Sequence, residues 1–251
     1  MLITISDRDR FVKSFLSPIS KMSESACVSV HADRIQTVVN SPDSSLILYA
    51  TREMPNKSVE QDSPLTLNIP NVNKFINLLS CVADDDIAVT YDQNKIVCSS
   101  GELKFQYHLL DDGILKIPSI NIQKIKALEF DTSFFLTKDN LTSLMRASTF
   151  ATDTDKLYVY TDGSNVIGEL TDKQQMNVDS FRQPISMSYT GNSITSPLAI
   201  NFELIRVISS LRINQECRIT VHVNNSNSVL LFDIACDGNK LKYITSAYAE
   251  T

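Results

Sequence analysis

Three consecutive carboxylates, Asp84-Asp85-Asp86, form the one acidic cluster of the 251-residue chain. Three such groups could bind Mg²⁺. They stand between a helical pattern and an alternating one, which makes a solvated turn the expected setting. His31, His108 and His222 each sit in a segment that alternates like a strand. A lone imidazole there is ordinarily a surface or satisfied residue. No H-x-x-x-H, H-E-x-x-H or G-x-S-x-G occurs. Cysteines 27, 81, 98, 217 and 236 are odd in number and lack a C-x-x-C pair, so neither a zinc knuckle nor a disulfide framework is expected. Six glycines, none in a G-x-G or G-K-[ST] setting, exclude the usual phosphate-cradling loops. The chain reads as non-enzymatic, with no catalytic residues, no metal and no cofactor. Its function is to be sought in shape and charge.

The length fits one large domain or two small ones, long enough to bury a core without staples. Apolar residues at 43% and charged residues at 21% are ordinary for a globular protein and exclude a disordered tail. No apolar run approaches the ~20 residues of a membrane span, and the N-terminus lacks a signal-peptide layout. A reduced, cytoplasmic protein with no membrane partner is expected.

Four segments carry a helical apolar period. The first, about 7–17, puts Phe11, Val12, Phe15 and Leu16 on one face and is expected to stop before Pro18. The second, about 71–81, has Val72, Phe75, Ile76 and Leu79. The third, about 138–150, has Leu141, Leu144, Met145 and Ser148. The fourth, about 202–212, has Leu204, Ile205, Ile208 and Leu211. The stretches between them alternate or are β-branched, including 28–31, 35–39, 46–50, 87–91, 103–109, 157–161, 185–189, 219–223, 229–234 and 241–245. Helices one and three, and two and four, have the same offset in sequence. The strands after helix two close on Leu103-Lys104-Phe105, and those after helix four on Leu241-Lys242-Tyr243. The pattern predicts a duplicated α+β domain: residues 1–110, a linker at 111–127, and residues 128–251.

The polar faces of these helices hold Arg10, Lys13, Ser14 and Ser17; Asn73, Lys74, Asn77 and Ser80; Thr142, Arg146 and Thr149; and Arg206, Ser209, Ser210 and Arg212. Their only acids, Asp7, Asp9, Asp139 and Glu203, stand at helix starts, where they favour the macrodipole. The four spans hold eight bases and four acids, against 15 bases and 25 acids elsewhere. Positive charge concentrated on helices of an acidic protein points to a polyanion.

Three stretches carry a resemblance across nearly the whole chain: Leu79-Ser80-Cys81-Val82-Ala83-Asp84-Asp85-Asp86, the run from Thr137 to Ser148, and the closing run from Leu241 to Ala249. Ser25-Ala26-Cys27 adds a fourth. In order and spacing the sequence resembles the DNA polymerase sliding clamps, above all the T-even-type bacteriophage clamp, and is similar to proliferating cell nuclear antigen. The resemblance implies duplicated clamp domains, closing as a homotrimeric ring around duplex DNA without sequence preference. It implies a processivity factor whose partners are a replicative DNA polymerase and a clamp-loader ATPase. For a phage clamp it also implies a role in late transcription and residence in the host cytoplasm.

On this resemblance Arg10, Lys13, Lys74, Arg146, Arg206 and Arg212 line the hole, with Lys21 near its edge. The subunit interface pairs Leu103, Phe105 and Tyr107 with Phe181, Ile185 and Met187; Pro184, which cannot donate to a ladder, belongs on an edge strand or at a strand start. Partners dock on Leu46 and Leu48, on Ile114, Leu115 and Ile117 of the linker, and on Ala247 and Tyr248. The segment Thr51–Ser63 is expected to be an exposed loop. The alternative class is a structural β-rich virion or assembly protein, which leaves the acid-free helix faces unexplained. A third reading, a nuclease on Asp84–Asp86, lacks a Lys, His or Glu partner in any recognisable arrangement.

Overall fold

The computed structural model describes residues 1–54, 64–100, 102–115, 128–211, 217–236 and 238–248. Two units divide the chain, the first comprising Met1–Ser119 and Asp237–Leu241, the second Ile120–Cys236 and Lys242–Thr251.

In unit 1, strand β1 (Leu2–Ile5) leads into helix α1, which runs from Arg8 to Met22. Strands β2 (Ala26–Val30), β3 (Arg34–Asn40), β4 (Leu46–Glu53) and β5 (Leu65–Ile69) follow, then helix α2 (Val72–Ser80) and strands β6 (Ile87–Asp92), β7 (Lys95–Ser100) and β8 (Leu103–His108). Unit 2 repeats the order with β9 (Thr132–Leu136), α3 (Lys138–Phe150), β10 (Lys156–Asp162), β11 (Asn165–Leu170), β12 (Phe181–Ser186), β13 (Tyr189–Gly191), β14 (Leu198–Asn201), α4 (Glu203–Ser209), β15 (Arg218–Asn224), β16 (Val229–Cys236) and β17 (Asn239–Ser246). Pairing is duplicated as well as order. Unit 1 has the arrays β1-β6-β7-β8 and β5-β2-β3-β4, and unit 2 has β9-β15-β16-β17 and β14-β10-β11-β12, with short β13 added beside β9. The mixed α+β class and the internal repeat are therefore present in the fold itself.

Helix α1 corrects one expectation. It does not stop before Pro18 but continues to Met22, in three stretches: α-helical Arg8–Phe11, π-helical Val12–Leu16 and α-helical Ser17–Met22. A proline lacks the N–H for the carbonyl four residues back and crowds it. The wider π turn in front absorbs that crowding, and Ser17 N–H reaches back five residues to Val12 O. The extension buries Ile19 and Met22 beside Phe11, Phe15 and Leu16. In α3 the inward face is Leu141, Leu144 and Ala147, while Met145 and Ser148 are half-buried flanks. Helix α4 is shorter than its apolar pattern, and residues 212–216 lie outside the described residues.

Several strand-level expectations also change. The alternating run 185–189 is split between β12 and β13 at Met187-Ser188. His31 lies in the turn between β2 and β3, its N–H donating to Arg34 O. Thr51–Glu53 completes β4 rather than opening a loop; residues 55–63 lie outside the described residues. Arg52 is 6% exposed and donates to Asn239 Oδ1 and Ser6 O. Cys217 and Cys236, expected to be single thiols, form a disulfide. The register that pairs Arg218 with Ala235 puts them opposite each other, with Cα atoms 4.5 Å apart. That is the spacing of a non-hydrogen-bonded antiparallel pair, and nothing in the linear spacing of 19 residues reveals it. Asp84–Asp86 is an exposed turn.

Gly191 closes β13 onto β9 at φ +91°, and an added Cβ would stand 2.0 Å from Asp131 O. Gly163 has φ +60° with open space around it. Gly191→Ala is expected to lower unfolding free energy by about 3 kcal/mol or more, against about 1 kcal/mol for Gly163→Ala. Urea titration of both variants checks the ordering.

Candidate nucleic-acid interface

Each helix is tethered by one face, which fixes what the other presents. In α2, Val72, Phe75 and Leu79 are buried. Asn71 caps the helix, its side chain accepting from Lys74 N–H at 2.7 Å. The exposed face is then Asn73, Lys74, Asn77 and Ser80. In α3, Thr137 and Asn140 form a reciprocal capping box. Ser143 donates to Gln183 Oε1 at 2.6 Å, tying the helix to β12. Its exposed face carries Lys138, Thr142, Arg146 and Thr149.

The helix-start acids do more than complement the macrodipole. Asp7 pairs with Arg10 at 3.3 Å, Asp9 pairs with Lys13, and Glu203 pairs with Arg206 at 3.0 Å. These are exposed i,i+3 and i,i+4 pairs, each worth about 0.3–0.5 kcal/mol. They hold the cations in place but mask part of their charge. Among the described residues Lys74 and Arg146 make no ion pair, so they present full charge. Lys13 and Arg146 stand on counterpart helices α1 and α3, and Lys74 and Arg206 on α2 and α4. Lys21 lies in the last turn of α1, where desolvation lowers its pKa. Arg212 lies outside the described residues.

A further cation, to which sequence reasoning assigns no role of its own, joins these. Lys138, at the start of α3, borders a groove of about 330 Å³ between α3 and α4, together with Thr142, Arg206 and Ser209. Only the packing of the two helices in unit 2 brings these residues together. Sequence spacing offers no signal for it.

The strands expected at a subunit interface are edges. Among the described residues β8 pairs with β7 alone and β12 with β11 alone. Leu103 is exposed at 37% and Met187 at 73%, while Phe105 and Phe181 are half-buried. Two expected interface residues instead belong to their own unit's core. Tyr107 is buried against Phe75, and its hydroxyl donates to Asn71 O at 2.8 Å. Ile185 is buried over Gly168.

Of the docking residues expected from the resemblance, Leu46 and Leu48 face inward from β4 and are buried, leaving Ile47 and Tyr49 half-buried on its other face. Ile114 is 57% exposed and Tyr248 42%. Leu115 and Ala247 are half-buried, and Ile117 lies outside the described residues. The closing run is pinned by Ala247 N–H to Ser228 O and Tyr248 N–H to Ala199 O. Among the described residues no group of three His, Cys, Asp or Glu could hold a metal ion, and no helix is long and apolar enough to cross a membrane.

Thr137→Ala removes the capping box and is expected to cost about 1 kcal/mol, fraying the turn that carries Lys138. Faster amide hydrogen exchange at Asn140 and Leu141, with the rest of α3 unchanged, checks this.

No family model and no curated protein sequence matches the chain. Solved structures do. A structure described as the C-terminal region of FEN-1 bound to A. fulgidus PCNA matches 100% of this chain and 99% of that one, with a TM-score of 0.77 at 12% identity. PCNA from Thermococcus kodakaraensis matches with a TM-score of 0.72 at 13% identity, covering 98% of this chain and 99% of that one. A putative DNA polymerase III beta subunit from Eubacterium rectale matches all of this chain, which spans 66% of its length, with a TM-score of 0.73 at 13% identity. The duplicated α+β fold, over its whole length, is that of the sliding clamps.

Proposed function

We propose that the chain is a DNA sliding clamp, a non-catalytic processivity factor that encircles duplex DNA as a homotrimer. It would tether a replicative polymerase after loading by a clamp-loader ATPase. The observation that carries the reading is the full-length match to PCNA structures, in which both repeats of this chain find counterparts. Charge supports it. Helices α2 and α3 expose Lys74, Lys138 and Arg146 without acidic partners among the described residues, on faces otherwise rich in Ser, Thr and Asn. Such a surface attracts phosphates without reading bases, as sliding requires.

The repeat supports ring closure. By topology β17 is the counterpart of β8, and β4 the counterpart of β12. Within unit 1, Glu53 N–H at the end of β4 donates to Gly238 O at 3.1 Å, just before β17 begins. An unpaired edge invites another strand. A second copy that sets its β12 against β8 would repeat this pairing head to tail, and three copies would close a ring of six units. Leu103, Phe105, Phe181 and Met187 are the side chains at these edges, and Pro184 sits on β12 as an edge strand allows.

The A. fulgidus PCNA was solved with a partner's C-terminal region. A short apolar segment of a polymerase would find an exposed apolar anchor point in Ile114 of unit 1.

Sedimentation equilibrium is expected to give three times the 28.0 kDa chain mass, and Phe105→Asp to give monomers at micromolar concentration. A trimer that survives Phe105→Asp would place the interface elsewhere. With the trimer intact, Lys74→Glu with Arg146→Glu should lower the salt slope of duplex association by about 0.9 for each phosphate that is no longer neutralised. An unchanged slope would remove these helices from the DNA surface.

A further inference from the structure

We infer that the Cys217–Cys236 disulfide is a thiol–disulfide exchange site, a reversible clasp that sets how firmly the open end of the β15–β16 hairpin is held. Three observations carry it, and none depends on the clamp reading. First, the pair stands at the rim of the core. Cross-strand register sets Ile219 opposite Ile234 and Val221 opposite Phe232, an inward row of side chains 2% exposed or less. Cys217 and Cys236 continue that row by one rung and are only half-buried, with exposed Arg218 and Ala235 beside them. The bond therefore lies on the solvent side of the row, where a small thiol can reach it, as exchange requires.

Second, the disulfide is not a staple on which the fold depends. The hairpin already pairs over seven rungs, from Arg218 with Ala235 to Asn224 with Val229, and β9 flanks β15 on its other side. Cys27, Cys81 and Cys98 stay free, unlike the cysteines of a disulfide-built domain, which pair throughout. Third, the clasp sits where the chain leaves unit 2. Cys236 is followed by 237–241, which belong to unit 1. There Gly238 O accepts from Glu53 N–H and Asn239 Oδ1 accepts from Arg52. Joining Cys236 to Cys217 fixes the unit 2 end of that passage. The turn end of the hairpin has its own lock, Asn224 Oδ1 accepting from Asn227 N–H at 2.7 Å, so the clasp acts on the open end.

The exchange is a two-electron step balanced by two monothiols. One thiolate attacks a sulfur of the pair; the S–S bond breaks, a mixed disulfide forms, and the other cysteine leaves as a thiolate that takes up a proton. A second thiolate attacks the small molecule's sulfur in the mixed disulfide. The second cysteine leaves as a thiolate and is protonated, and a small-molecule disulfide departs. The protein disulfide is reduced and the two monothiols are oxidised; the reverse uses the small-molecule disulfide as oxidant. Once reduced, the end rung loses its covalent link and its neighbours open more often.

The probe is glutathione. The native full chain is equilibrated with millimolar reduced or oxidised glutathione, and alkylation with peptide mass mapping reads the state of Cys217 and Cys236. The pair is expected to be alkylated after the reduced form and protected after the oxidised form, with no denaturant present. Amide hydrogen exchange at Ile219 and Ile234 is expected to be about tenfold faster in the reduced protein, and unchanged at Val223 and Leu230. Cys217→Ser with Cys236→Ser should reproduce the faster exchange and make it insensitive to glutathione. A pair that opens only in denaturant, or that never forms with oxidised glutathione, overturns the proposal. So does equal amide exchange at Ile219 and Ile234 in the two states of the wild type.

Discussion

Unpaired backbone at a sheet edge is the constraint on which this architecture turns. Each strand end must find a partner, a cover or water for its N–H and C=O groups. The repeat makes β4 the counterpart of β12 and β17 the counterpart of β8, and of these four strands β8 and β12 are sheet edges. Gly238 O already satisfies the N–H of Glu53 at the end of β4 in unit 1. Strands β8 and β12 have nothing equivalent among the described residues. Head-to-tail closure would be an arrangement in which every copy uses both β8 and β12.

The helices answer a second constraint. Each buries an apolar stripe on its own unit's sheets, so the opposite face must stay polar. Charge on that face can be of either sign, and here it is sorted. The acids Asp7, Asp9 and Glu203 serve neighbouring cations in the same helical turns, while Lys74 and Arg146 remain available. Short hydroxyl and amide side chains fill the remaining positions, so a polyanion can approach closely without being gripped base by base. The acidic remainder of the chain, 25 acids against 15 bases, would repel a polyanion from the other surfaces.

Much of this is legible in the sequence, and what is not has physical causes. Helices α2 and α3 announce themselves through their apolar spacing, while the caps Asn71 and Thr137 emerge from the structure. The end of α1 is hidden because a proline reads as a stop, and only the π turn before Pro18 lets the helix pass. Pro184 marks β12 as an edge. Alternation in β4, β8 and β12 shows that strands exist but not which parity faces inward. Leu48, Tyr107 and Ile185 thus read as outward-facing, a role that the packing gives to their neighbours. Cys217 and Cys236 are invisible as a pair because cross-strand register is not written in linear spacing. The groove at Lys138 is out of reach for the same reason, since it exists only where α3 and α4 pack.

A closed ring around DNA with no sequence preference has a topological signature that no surface-binding protein shares. The direct measurement loads the protein with a clamp loader onto a nicked circular plasmid, washes at high salt, and then linearises half of the sample. The account predicts retention on the circle and loss from the linear form at the same salt. Equal retention on both, or equal loss from both, would contradict it.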